Sequence, residues 1–323
     1  MEATDKLPFE EYLGEKNEQV WFETLNLIYS DIHQVDRDAT KIWFSFWPLK
    51  LAQGLDKAKN LENTFKKFQL DGNPLLREQI DESVKYLFGA RFWVPVKKAV
   101  LTYSKGNVDP KGISLDQHIL KLSREVENQL SIDAGVLVGI VAISLMILKQ
   151  VGFSSLSAVS DRLIPINNTE SPDKVLKSRK VNGGLRNILG WKSKMHQVIF
   201  DERTRTSFFE AADGQDLSMA SKGDKRDFRS QDSRKIAGPV PAQCRSGACG
   251  YCWIGILAGQ KNLSKLTEFE KDRLEYFGYS SPEDDIKEHP VIRLACQSKC
   301  YGKVSITVPP WNGVLFTKEV DSD

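Results

Sequence analysis

All five cysteines of this 323-residue chain lie beyond residue 243, and four are spaced Cys244-x4-Cys249-x2-Cys252, then Cys296 after 43 further residues. Three thiolates this close together converge only if the chain turns sharply. The loop Cys244-Arg245-Ser246-Gly247-Ala248-Cys249-Gly250-Tyr251-Cys252 carries Gly247 and Gly250 for positive φ, with the small Ala248 beside them. This spacing matches the ligand set of a [2Fe–2S] cluster, in which each of two sulfide-bridged irons takes two thiolates. Backbone N–H groups of the loop residues Arg245, Ser246, Gly247, Ala248, Gly250 and Tyr251 are expected to point at the negative sulfurs and help set the reduction potential.

Other uses of cysteine fit less well. Zinc favours two C-x2-C knuckles or paired histidines, and neither is present around this loop. A disulfide framework spreads an even number of cysteines through a small secreted chain, whereas residues 1–243 contain none. Cys300, four residues past Cys296, reads either as an ordinary free thiol or as a redox-active thiol or substitute ligand.

Residues from about 193 to 313 resemble a plant-type or adrenodoxin-like [2Fe–2S] ferredoxin. The matching text is Met195–Phe200, Arg203–Phe209 and Asp213–Leu217. The Cys-Arg-Ser-Gly-Ala-Cys-Gly-Tyr-Cys loop follows, then Arg293-Leu294-Ala295-Cys296-Gln297 and a last strand at Lys303–Val308. The resemblance implies a β-grasp fold, with Cys244, Cys249, Cys252 and Cys296 as ligands of one [2Fe–2S] cluster and electron shuttling rather than catalysis as the activity. Two departures stand out: Ser218–Val240 is long, polar and charged, and the gap before Cys296 sits nearer the adrenodoxin-like pattern. Tyr251 also replaces the Ser or Thr common in that family.

The elements that must position this loop belong to a chain long enough for two domains, each with its own core. The formal charge of +2 is too small to argue for a nucleic-acid partner. No charged n-region followed by an apolar stretch opens the chain, so a cleaved secretory signal is not expected. Reduced thiols and a cluster assembled inside the cell point to a cytoplasmic or organellar interior.

Charge is uneven. Between residues 173 and 194 seven basic residues (Lys174, Lys177, Arg179, Lys180, Arg186, Lys192, Lys194) face Asp173 alone, net +6. Between 263 and 290 eight acidic residues face four basic ones, net −4; they are Glu268, Glu270, Asp272, Glu275, Glu283, Asp284, Asp285 and Glu288. An acidic face at 268–288 would steer a basic reductase or acceptor; the plainer reading is a solvated helix face.

Residues 1–133 read as an all-α domain. Apolar residues recur at helical spacing in Val20-Trp21-x2-Leu25-x2-Ile28-Tyr29 and Ile80-x3-Val84-x2-Leu87-Phe88. Pro48, Pro74, Pro95 and Pro110 punctuate helices, and Ser114-Leu115-Asp116-Gln117 is a capping box opening a long one. Trp43-Phe44-Ser45-Phe46-Trp47 and Phe92-Trp93 are expected to pack the core, with a pigment, flavin or partner surface as the alternative. No phosphate-binding glycine loop, metal triad or nucleophile–base motif occurs here, and no enzyme activity is expected.

Ala134–Leu148 is an uncharged run of 15 residues. As a helix it measures about 22 Å at 1.5 Å per residue, short of the roughly 30 Å hydrocarbon layer. Extended through Leu156 with Lys149 snorkelling it would cross, and Gly135-x3-Gly139 offers a close packing face. Membrane spanning, shallow membrane attachment and a buried core helix all remain open, the basic run beyond it favouring an anionic surface.

The expected architecture is α+β: helical domain 1–133, apolar segment 134–156, basic linker 157–192 with turn signals such as Ser171-Pro172 and Gly183-Gly184, and a [2Fe–2S] ferredoxin-like β-grasp domain 193–323. The expected function is a one-electron carrier docked to a larger redox or membrane complex through its helical half. The alternative is an assembly or interaction factor with a structural or redox-sensing cluster.

Overall fold

The computed structural model describes residues 6–46, 83–106, 110–158, 170–180, 194–230, 235–276, 279 and 288–309. Helices dominate the N-terminal part, and a five-stranded mixed sheet lies in the C-terminal part. The chain divides into two compact units: residues 1–44 with 75–172, and residues 45–74 with 173–323.

The first unit is helical. Its elements are α1 (Pro8–Gly14), α2 (Glu18–Ile28), α3 (Gln34–Phe46), a 3₁₀ turn (Phe88–Phe92), α4 (Trp93–Lys105), α5 (Leu115–Leu130) and α6 (Gly135–Ala158). The Asn17 side chain caps α2 by accepting from Val20 N at 3.0 Å. At the start of α5 the Ser114 N–H donates to Gln117 Oε1 at 3.1 Å, the reciprocal bond of the expected capping box. Trp21, Trp43 and Trp93 are fully enclosed, and Phe44 packs against Trp21 and Trp43 at ring separations of 5.7 and 5.1 Å. These aromatic residues serve the core; Phe92 is half-buried.

The helix expected around Ile80–Phe88 differs. Ile80, like Pro48, Pro74 and Trp47, lies outside the described residues. Val84 to Leu87 form turns that lead into the 3₁₀ segment. The reason is a buried carboxylate: Asp36 on α3 accepts from the N–H groups of Phe88 and Gly89 at 2.7 and 2.6 Å, satisfying the start of that segment.

α6 contains the apolar run. By length and composition alone it could cross a membrane, yet every residue from Val136 to Leu148 is buried among α1, α4, α5 and the 3₁₀ turn. A helix apolar all round requires such enclosure. A Cβ on Gly139 would strike Thr40 Oγ1 of α3, so this glycine serves close packing inside the unit. The helix breaks at Gly152 (φ 78°), and Glu10 restarts it by accepting from Phe153 N at 2.7 Å.

One buried histidine is also placed here. Phe9, Tyr12 and Tyr103 surround His118 with ring separations of 5.1, 5.1 and 5.7 Å. Its Nε2 must donate to the Pro110 carbonyl at 2.9 Å, which leaves Nδ1 to accept from the Tyr103 hydroxyl at 2.7 Å. Burial lowers its pKa below the usual 6.5, opposed by the Pro110 hydrogen bond and reinforced by Lys121 and Lys16. Below pH 6.5 the unfolded chain therefore binds a proton that the folded one refuses, so stability present at neutral pH is lost as pH falls. The urea midpoint of the full chain should drop between pH 7 and 5, and His118→Gln should flatten that slope; equal slopes would remove His118 as the cause.

In the second unit the strands are β1 (Met195–Ile199), β2 (Phe208–Ala212), β3 (Trp253–Ala258), β4 (Ile292–Leu294) and β5 (Val304–Thr307), in sheet order β2-β1-β5-β3-β4. β1 and β5 run parallel, with Val198 opposite Val304, and the other neighbouring pairs are antiparallel. Trp253 through Leu257 of β3 are all buried, and Ile306 of β5 stands opposite Ile256. Around the sheet lie α7 (Pro172–Lys180), α8 (Leu217–Lys222) and α9 (Glu268–Tyr276).

α7 comes from the stretch read as a linker. It buries Val175, and Arg179 grips Glu202 through two hydrogen bonds of 2.9 Å. Lys303 Nζ also donates to Ser178 O at 2.6 Å. Of the rest of that stretch, residues 159–169 and 181–192 are outside the described set, Gly183 and Gly184 among them. Beyond α8 the long polar stretch is tethered by Arg226, whose guanidinium donates to the carbonyls of Thr206 and Phe208 at 2.6 and 2.7 Å.

Candidate metal centre

The loop 244–252 leads directly into β3, and Cys296 follows β4 two residues beyond Leu294. β3 and β4 pair with Trp253 opposite Leu294, and Ala295 N donates to Cys252 O at 2.9 Å. Antiparallel pairing thus brings together two cysteines separated in sequence by 43 intervening residues.

The turn has the expected conformation. Gly247 and Gly250 have φ of 82° and 67°, and Arg245 also enters the left-handed region at 55°. A Cβ on Gly247 would come within 2.7 Å of Phe269 Cε1, so this position is closed to any side chain without a shift. Tyr251 is buried, and the exposed edge of the loop comprises Gln243 to Ser246 with Ala248.

Among the described residues no three Cys, His, Asp or Glu side chains gather as a single-ion site requires. The four thiols instead associate two by two. Cys244 and Cys249 interact through their side chains, as do Cys252 and Cys296, and the second pair feels the charge of the first, Cys252 that of Cys249 and Cys296 that of Cys244. Backbone N–H groups converge on the sulfurs. Those of Ser246 and Cys249 reach Cys244 (3.3 Å for Cys249), and that of Tyr251 reaches Cys249. The Cys296 N–H reaches Cys252, and the Gly247 N–H reaches Cys296. Gln297 Nε2 adds a contact to Cys296 Sγ at 3.4 Å.

These contacts split each pair. Burial pushes Cys244 up, but hydrogen bonds from Ser246 and Cys249 outweigh it and bring its pKa to about 6. Burial and the bond to Cys244 raise Cys249. The bond to Cys296 and burial raise Cys252 well above the thiol range, while the same bond lowers Cys296 against its burial. A pocket of four cysteine sulfurs with inward N–H groups suits a soft metal group that takes thiolate ligands. Two pairs of thiols can hold two irons, two ligands each.

Outside the four cysteines, the surroundings hold residues that spacing did not mark. Arg293, three positions before Cys296, is fully buried against Glu270 of α9, with hydrogen bonds of 2.9 and 2.8 Å. Glu270 also accepts from Leu294 N at 2.8 Å, and Arg293 donates to Ser264 O at 2.8 Å. Glu270 was grouped with the acidic face, and the structure corrects that: it points inward, because a buried guanidinium needs a counter-ion. Glu268, Asp272 and Glu275 are exposed, and Glu288 pairs with Lys265 at 2.9 Å; Glu283, Asp284 and Asp285 fall outside the described residues. Charge at 270 and 293 was visible in the sequence, but no periodicity linked the two.

Cys300 is separate from these contacts. Its thiol is fully buried and donates to Gly302 O at 3.1 Å, and burial pushes its pKa up. That environment suits an inert thiol. No protein-family model matches the chain, and no solved structure matches it significantly.

Proposed function

We propose that the second unit is a β-grasp ferredoxin-like electron carrier that holds one [2Fe–2S] cluster on Cys244, Cys249, Cys252 and Cys296. The observation that carries this reading is the association of the four thiols in two pairs, with backbone N–H groups turned onto the sulfurs. The bound cluster would supply reversible one-electron chemistry. Cys252 and Cys296 bind from the buried side, while exposed Cys244 keeps one edge of the site near solvent and a partner. The inward N–H groups offset negative charge on the thiolates and so favour the reduced state. Strand order β2-β1-β5-β3-β4 with a parallel β1–β5 centre supports the β-grasp assignment.

The first unit is proposed to dock this carrier onto a larger redox or membrane complex; outward Phe22, Leu27 and Tyr29 on and beside α2 supply apolar contact area. Burial of Val136–Leu148 gives no support to the apolar run as the anchor. Any membrane attachment would draw instead on basic side chains such as exposed Lys174, Lys177 and Lys180 of α7. A reducing cytoplasmic or organellar interior suits the free thiols.

The purified chain, reconstituted with ferrous iron and sulfide under reducing conditions, should bind two irons and two acid-labile sulfides and give one reduced-state EPR signal. Binding of a single metal ion without sulfide would overturn the assignment. A cluster that forms but accepts electrons from no cellular reductase would favour the assembly-factor reading.

A further inference from the structure

We propose that the first unit carries a binding site for a small organic cation, an aliphatic amine, in a cleft between α1, α2 and the start of α5. This goes beyond the electron-carrier reading and does not depend on it. The cleft has a volume of about 630 Å³, within the range of ordinary small-ligand pockets.

Three segments wall the cleft. Glu15 and Lys16 follow the end of α1, and α2 contributes Glu23 and Thr24. The third wall is the loop from Lys111 together with the first turn of α5, which brings Asp116. Tyr12 Oη donates to Ile113 O at 3.3 Å, and Lys111 Nζ donates to Glu15 Oε1 at 3.0 Å. Two contacts thus tie the loop to α1 and its C-terminal end. Val20, Ile113 and Leu115 supply apolar lining against which an alkyl chain can leave water.

Charge selects a cation. The lining holds three carboxylates (Glu15, Glu23, Asp116) and two ammonium groups (Lys16, Lys111). Both lysines are engaged, Lys111 with Glu15 and Lys16 over the Tyr12 ring at 4.0 Å. Two carboxylates have no cation. Glu23 accepts from the neutral amide of Gln19 at 2.9 Å, and Asp116 has no ion pair or side-chain hydrogen bond among the described residues. Their field reaches the Tyr12 phenol, whose pKa is raised by burial first and then by the charge of Asp116, with Tyr103 and Glu15 adding to it. An anion is disfavoured even though α5 begins here, because Asp116 in its first turn already complements the helix dipole.

Thr24 calls for the same ligand. It is only 4% exposed, yet its hydroxyl has no hydrogen-bond partner among the described residues. Burying a hydroxyl without a partner costs free energy, and Thr24 lines the cleft, where a ligand N–H can satisfy it. An ammonium group brings three donors, enough to reach this hydroxyl and a neighbouring carboxylate together.

The test is equilibrium binding of n-pentylamine to the full chain by isothermal titration calorimetry at low salt, with methylamine and pentanoate as comparison ligands. n-Pentylamine should give a saturable isotherm. Methylamine, which lacks most of the alkyl chain, should bind about tenfold more weakly, and pentanoate should not bind. Glu23→Gln/Asp116→Asn should weaken n-pentylamine about tenfold, with the loss shrinking as salt rises. Thr24→Val, which keeps the side chain's shape, should weaken it about fivefold. The Tm of that ligand-free variant should stay the same or rise, since an unpaired buried hydroxyl has been removed. Four results would each overturn the proposal: no saturable binding of n-pentylamine, pentanoate binding as tightly, an affinity unmoved by the carboxylate variant, or wild-type affinity in Thr24→Val. None of them bears on whether the second unit holds a cluster.

Discussion

The Cys296→Ser variant should lose the reduced-state EPR signal, whereas Cys300→Ser should keep it at full strength. Both residues are buried, and both lie in the segment after β4, so burial does not separate them. Their partners do. Cys296 interacts with Cys252, receives the Gly247 N–H and contacts Gln297 Nε2. Cys300 donates to the Gly302 carbonyl, and its backbone N–H donates to Gln215 O at 2.9 Å. A serine at 296 replaces a soft thiolate by a hydroxyl that resists deprotonation, so one iron would keep a single good ligand. Iron and sulfide content should fall together with the signal. Loss of the signal in Cys300→Ser but not in Cys296→Ser would show that the fourth ligand is misassigned.

Glu270→Gln should destabilise the second unit by about 3–5 kcal/mol, the cost of leaving one member of a buried ion pair uncompensated. Arg293 and Glu270 are 1% and 0% exposed at their side chains, so water cannot replace the lost partner. The same carboxylate accepts from Leu294 N, which holds β4 just ahead of Cys296. At a urea dependence of about 2 kcal/mol per molar, the unfolding midpoint should fall by ~2 M. Cluster bleaching should follow the same shift, because Cys296 hangs on this strand. The double variant Glu270→Gln/Arg293→Met, which removes both charges, should lose less than the two single effects added together. A midpoint displaced by only a few tenths of a molar in Glu270→Gln would show that the pair is not a principal support of this region.

Some of this was written locally in the chain. Positive φ at Gly247 and Gly250 and the capping box at Ser114 each depend on residues within a few positions. The last strand, Val304–Thr307, falls within the stretch Lys303–Val308 read as a strand. Elsewhere local reading misled. The apolar spacing Val84-x2-Leu87-Phe88 signalled a continued helix, but Asp36, about fifty positions earlier, captures the N–H groups of Phe88 and Gly89 and leaves a turn and a 3₁₀ segment. Pro172–Lys180, bracketed by coil signals, is a helix held by Arg179 to Glu202.

By itself the sequence determined the chemistry on offer: which four thiols stand at cluster spacing, where the loop can turn, and which run is apolar enough to need cover. Such properties depend on residue type and on neighbours a turn or less away, so they survive without a fold. Only the tertiary structure decided that Cys252 meets Cys296, that Glu270 turns inward to Arg293, that Phe269 rests on Gly247, and that Val136–Leu148 is enclosed by its own helices. Each of these joins residues at least 20 positions apart or depends on which helices surround a face, and a pattern of period 2 or 3.6 carries no record of that. The physical reason is that burial selects partners through space: a charge or an apolar face taken out of water accepts whatever complementary group the fold brings to it.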